Sequence, residues 1–93
     1  MSYLIAYQPR AIAEYEASAL WYKERSILAA ENLESAVNKK ISILRTHLTR
    51  YRKTYKEFRE IRLDKYPFNI IYLVEEVKMK VIISSLYHHK RNP

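Results

Sequence analysis

Arg59, Arg62, Tyr87, His88 and His89 are the side chains of the last third best suited to chemistry, two arginines three residues apart and then an aromatic–imidazole run. Arginine grips phosphate oxygens through a planar fork of donors, and histidine titrates near neutrality and serves as general acid or base. Cleaving an RNA strand needs a base for the 2′-hydroxyl, cations for the charge growing on phosphate, and an acid for the leaving oxygen. Arg59, Arg62 and Tyr87 with His88 or His89 form a candidate catalytic set for that step. Lys65 is a further cation, and Glu57 or Glu60 an alternative base. The adjacent histidines do not make a metal site, because neighbours on a strand point apart and no carboxylate pattern accompanies them.

Each of these residues also has a plainer reading. Arg59 shares a strand face with Ile61 and Leu63 and reads equally as a structural arginine bonded to backbone or to a helix carboxylate. Arg62, beside Glu60 and Asp64, reads as part of a solvated face. One histidine packs its ring against helices and the other is exposed. Tyr51, Tyr55 and Tyr87 suit base stacking and protein contact alike.

The elements that would hold these side chains follow from periodicity. Tyr3 to Tyr7 suits a short strand. Pro9 stands where a first helical turn tolerates proline, and Ile12, Tyr15, Ala19 and Tyr22 recur at helical spacing to about Arg25, with Glu14, Glu16 and Lys23 left to solvent. Ser26 caps a second helix whose apolar stripe is Leu33, Val37, Ile41, Leu44 and Leu48. So short a break makes the pair an antiparallel hairpin. Residues 47–56 read as a basic, tyrosine-rich surface loop. Strands follow at about 57–64, 68–75 and 79–88, with turns at Tyr66-Pro67 and Glu75-Glu76-Val77-Lys78. In the last of them, alternation puts Ser85 and Tyr87 on one face and Ser84, Leu86 and His88 on the other. The expected fold is α+β in one domain, 1–93: a short N-terminal strand, the helix hairpin, and a three-stranded antiparallel meander with the helices on one sheet face.

Composition bounds the rest. The chain has 93 residues, no glycine and no cysteine. Without glycine the phosphate-cradling loops of nucleotide folds are excluded, so no nucleotide cofactor is expected, nor any other cofactor. The absence of thiols fits the cytosol, and neither a membrane span nor a signal-peptide order is present, so the expected location is cytoplasmic. The net charge of +7 divides as zero over residues 1–44, +5 over 45–65 and +2 over 66–93. Arg50, Arg52, Lys53, Lys56, Lys65, Lys90 and Arg91 are therefore candidate nucleic-acid contacts, a polyanion or an acidic surface being the natural partner of such an excess.

The order of elements, Trp21-Tyr22 late in the first helix, Arg59, the run Tyr66-Pro67-Phe68-Asn69-Ile70-Ile71-Tyr72 and the ending His88-His89-Lys90-Arg91-Asn92-Pro93 resemble the RelE/ParE superfamily of toxins from bacterial type II toxin–antitoxin pairs. The resemblance spans essentially the whole chain, and its terminal motif is more like the ParE side. It implies a toxin of the plasmid-stabilisation kind, neutralised by a cognate antitoxin that wraps its hydrophobic and basic surfaces, with Trp21 and Tyr22 as partner-binding candidates. Two activities are implied: inhibition of DNA gyrase, or ribosome-dependent, metal-independent cleavage of mRNA. An inactive, antitoxin-binding relative is a third reading, since fold alone does not choose among them. Catalysis expects Arg62, Tyr87 and His88 to converge on one exposed patch; protein binding expects an exposed apolar–aromatic surface near Trp21 with the histidines buried.

Overall fold

The structure is a computed structural model and describes residues 3–88. Strand β1 (Leu4–Tyr7) leads into helices α1 (Pro9–Lys23) and α2 (Ile27–Thr46), followed by β2 (Lys53–Tyr55), β3 (Phe58–Arg62), β4 (Phe68–Glu75) and β5 (Lys80–His88). The strands make one five-stranded sheet in the order β1-β5-β4-β3-β2.

The class is α+β, and β3, β4 and β5 pair antiparallel. The sheet is nonetheless mixed and wider than a three-stranded meander. β1 runs parallel to β5, with Leu4 opposite Lys80 and Tyr7 opposite Ile83. A parallel pair needs a long crossover, and the helices and the other strands supply it. At the far edge, Lys53–Tyr55 is a strand against β3 where the composition reads as loop. All three of its side chains are exposed, so no alternation marks it, and its charge suits an edge.

Local chemistry sets the helices. Pro9 occupies the first turn of α1, and Ser26 Oγ accepts the Ala29 N–H at 3.2 Å to cap α2. Leu33, Val37, Ile41 and Leu44 are buried as their spacing requires, while Leu48 lies beyond the helix end and is half-buried. The inward face of α1 is turned by one residue from the expected stripe. Ala11 and Ser18 are buried, Tyr15 and Tyr22 half-buried, and Ile12 exposed. Small side chains at Ala11 and Ser18 bring α1 close to β5, and the rotation carries Glu14 toward the sheet. The core joins these helix faces to Ile61, Leu63, Ile70, Tyr72, Val81, Ile83 and Leu86. Both helices thus contribute to one core with the sheet, whose other face carries the site below.

One irregularity decides what that other face displays. Tyr72 pairs with Ile83 but Ile71 pairs with Ser85, so Ser84 is an extra residue in β5 with no partner on β4. A bulge of one residue inverts the alternation beyond it. Ser85 and Leu86 are both buried, and Tyr87 then points outward and His88 back. Ser85 stands opposite Ile71 and Tyr87 opposite Asn69, so the two keep one side of the ladder as alternation requires. The unpaired Ser84 falls out of the run that continues through Leu86 and His88. Among the described residues no helix is long and apolar enough to cross a membrane.

Candidate functional site

Register brings Arg62, Asn69 and Tyr87 into one row across β3, β4 and β5. Glu60, one step along the same face of β3, is their hub. Its Oε2 accepts from the Tyr87 hydroxyl at 2.6 Å and from Asn69 Nδ2 at 2.6 Å, and Oε1 accepts from Arg52 Nη2 at 3.4 Å. Asn69 Nδ2 also donates to the Tyr87 oxygen at 3.2 Å. The Glu60 side chain is only 11% exposed, whereas Arg52 is 80% exposed, so the short bonds from Tyr87 and Asn69 fix the carboxylate more than the ion pair does. Asn69 is 5% exposed, and its Oδ1 has no partner among the described residues.

The electrostatics follow from this wiring. Burial pushes Glu60 up, but the hydrogen bonds from Tyr87 and Asn69 and the charges of Arg52 and Arg62 outweigh it and hold the carboxyl below its usual range. Tyr87 moves the other way, raised by its bond to the Glu60 carboxylate and then by burial. Neither group is poised near neutrality. The face presents a fixed carboxylate and a phenol between two arginines.

The remaining candidates divide. Arg59 lies on the helix-facing side of β3, where Nη1 donates to the Tyr51 carbonyl at 2.6 Å and to the Thr49 carbonyl at 3.3 Å. The buried Tyr72 hydroxyl donates to the Leu48 carbonyl at 3.0 Å, and together these bonds pin residues 48–51 onto the sheet. His88 pairs with Phe68 on the core side, ring centroids 4.9 Å apart, and so stands across the sheet from Arg62 and Tyr87. His47 ends α2 and contacts Thr46 Oγ1 at 2.8 Å through Nδ1. His89, Lys90 and Arg91 lie outside the described residues.

Among the basic candidates, Lys53 pairs with Glu57 at 2.9 Å, Lys56 lies over Tyr55, and Arg50 lies over Tyr51. Lys65 opens onto a cleft of about 420 Å³ shared with Lys39, Lys40 and Asp64, where Lys40 and Asp64 pair at 3.2 Å. A second, more apolar cavity of about 270 Å³ lies between the helices and β5, lined by Ala11, Tyr15, Val37, Ile41, Ile83 and Leu86 among others. At the hairpin end, Leu20, Ile27 and Leu28 are 57%, 64% and 65% exposed. Arg25 stacks on the Trp21 ring there at 3.7 Å. Tyr22 turns inward, in ring contact with Tyr66 and Phe68, and ties the hairpin to the β3–β4 turn.

Asn69 is the site residue that the sequence reading passed over. Its signal was present, a single amide inside the apolar run Phe68–Tyr72. A buried polar side chain in such a strand needs partners, and Glu60 and Tyr87 are those partners.

No protein-family model and no curated protein sequence matches the chain. Solved structures do. A chain of the chromosomal ParDE TA system from P. aeruginosa is similar over 92% of this chain and 95% of its own length, with 14% identity and a TM-score of 0.75. The isolated E. coli RelE toxin is similar over 97% of this chain and 87% of its own, with 18% identity and a TM-score of 0.62. A chain of the intact E. coli RelBE toxin–antitoxin complex gives 96%, 99%, 18% and 0.57 in the same order. The chain has the fold of the RelE/ParE toxins.

Proposed function

We propose that the chain is the toxin of a type II toxin–antitoxin module, neutralised by a cognate antitoxin, and that it arrests growth by binding DNA gyrase in the ParE manner. The observation that carries this reading is the separation of the candidate catalytic groups. His88 packs on Phe68 on one side of the sheet, while Arg62 and Tyr87 stand on the other. A proton-transfer group must lie within hydrogen-bond reach of the reacting atoms, and the sheet between His88 and Arg62 keeps this histidine from serving a phosphate held by that arginine. The exposed apolar end of the hairpin, Leu20, Ile27 and Leu28 beside the stacked Trp21, suits a protein partner.

The test is a supercoiling reaction with purified protein, gyrase, ATP and relaxed plasmid. Inhibition is expected at stoichiometric toxin, reversed by the co-expressed antitoxin. Supercoiling at an unchanged rate under toxin excess refutes the gyrase target.

A second reading has its own observation. Arg52 and Arg62 flank Glu60 and Tyr87 on one face, which is the composition of a phosphate-binding site with a carboxylate and a phenol. A ribosome-dependent mRNA endoribonuclease of the RelE type would use that face. Cell-free translation with primer extension separates the two. New message 5′ ends that vanish in Arg62→Ala establish cleavage, and their absence leaves the gyrase reading.

A further inference from the structure

The row Arg62–Asn69–Tyr87 exists only because β5 carries one residue more than β4 opposite it. Continuing the pairing regularly from Tyr72–Ile83, with Ser84 opposite Ile71 instead of bulged out, would set Leu86 opposite Asn69 and Tyr87 opposite Phe68. Tyrosine would then enter the core side and leucine would cover Glu60. Something must hold the extra residue in place, and one side chain reaches it from outside the sheet. Glu14 of α1 accepts the Ser85 hydroxyl at 2.7 Å and the Leu86 N–H at 3.0 Å, both on Oε1. Its other oxygen accepts from Arg10 at 3.4 Å.

We infer that Glu14 is the positioning residue of the open face, holding the Ser84–Ser85 bulge that places Tyr87 beside Glu60. Glu14 touches none of Arg52, Glu60, Arg62 or Tyr87 in any of these bonds and acts through the backbone of β5. A backbone N–H turned toward a helix must find an acceptor there or remain unsatisfied. A carboxylate gives a charge-assisted bond, and its one oxygen satisfies both the amide and the neighbouring hydroxyl. The inference goes beyond the proposed target and does not depend on it, since any partner of this face meets Tyr87 in the orientation that the bulge gives.

The experiment reads the orientation of Tyr87 in the free protein. With tyrosine rings labelled and Tyr87 assigned through Tyr87→Phe, nuclear Overhauser contacts between the Tyr87 ring and the Asn69 side-chain amide are measured at neutral pH. The phenol titration is followed in parallel. In Glu14→Ala those contacts are expected to disappear and the titration to return toward the ordinary tyrosine value of about 10. Glu14→Gln keeps an acceptor oxygen and is expected to retain both signals. A merely stabilising role would lower the unfolding midpoint and leave both signals unchanged in the folded variant, which overturns the inference. If Glu14→Ala does not fold, Ser85→Ala removes one of the two contacts and is read in the same way. Weakened Tyr87–Asn69 contacts support the inference, and contacts of unchanged intensity overturn it.

Discussion

The Tyr87 hydroxyl donates to Glu60 Oε2 at 2.6 Å across the full width of β4, the strand between theirs. Asn69, on that middle strand, donates to both. The three make a closed set in which the carboxylate is charged and the phenol protonated.

Acid stability follows from Glu60. Its folded pKa lies below the unfolded value of about 4.3, so its contribution is fully present above that value and fades as pH falls through the folded pKa. Glu60→Gln is expected to flatten the pH dependence of the unfolding midpoint below about pH 4.3 and to leave its shape between pH 6 and 8 unchanged. Thermal unfolding across that range checks it.

Alkaline stability carries the opposite sign. Burial pushes Tyr72 to about 12, against a smaller opposing effect of the Arg59 charge, and Tyr87 is raised as well. Both contributions are complete below the ordinary tyrosine value of about 10 and are lost as pH rises through the folded values. Tyr72→Phe is therefore expected to shrink the loss of stability between about pH 10 and 12. It also leaves the Leu48 carbonyl without its donor. Denaturant midpoints at pH 8 and pH 11 separate the two effects.

Arg59 is expected to behave as a structural residue. Arg59→Ala removes a charged donor from the Tyr51 and Thr49 carbonyls, a change on the order of 2 kcal/mol and about 10 °C in midpoint for a domain of this size. Arg59→Lys is expected to recover only part, because one ammonium does not reproduce the fork. An unchanged midpoint in Arg59→Ala would remove this assignment.

A chain without glycine has to turn with other residues. Lys56 and Met79 have φ of 51° and 50°, in the left-handed region, at the β2–β3 and β4–β5 turns. That conformation costs a residue with a Cβ about 1–2 kcal/mol, and glycine returns part of the gain as chain entropy. Lys56→Gly and Met79→Gly are each expected to raise stability by about 0.5–1 kcal/mol, read as a higher denaturant midpoint at unchanged slope.

Local pattern announced what local physics decides. The stripe Leu33–Val37–Ile41–Leu44 and the Ser26 cap are legible because a helix repeats within a few residues. The opposite faces of Arg59 and Arg62 follow from the period of a strand, and Arg59 does turn inward. What escaped depends on residues far apart in the chain. β1 finds β5 across more than seventy positions, and Glu14 looks like a solvent carboxylate until Ser85 and Leu86 are folded against it. β2 has no apolar alternation to announce it. The bulge at Ser84 has no glycine to mark it, so the outward turn of Tyr87 and the inward turn of His88 were not readable from spacing alone.

That extra serine gives sequence comparison on this fold a particular hazard. Two relatives aligned column for column through β5, one with the inserted residue and one without, would have matching letters on opposite sides of the sheet. A β5 in which Ser84 paired regularly with Ile71 would exchange the side chains shown to a partner for those packed against the helices, with no substitution at all. Deleting Ser84 would instead remove the bulge and keep Tyr87 opposite Asn69. In this strand, gaps rather than identities record which chemistry a homologue presents.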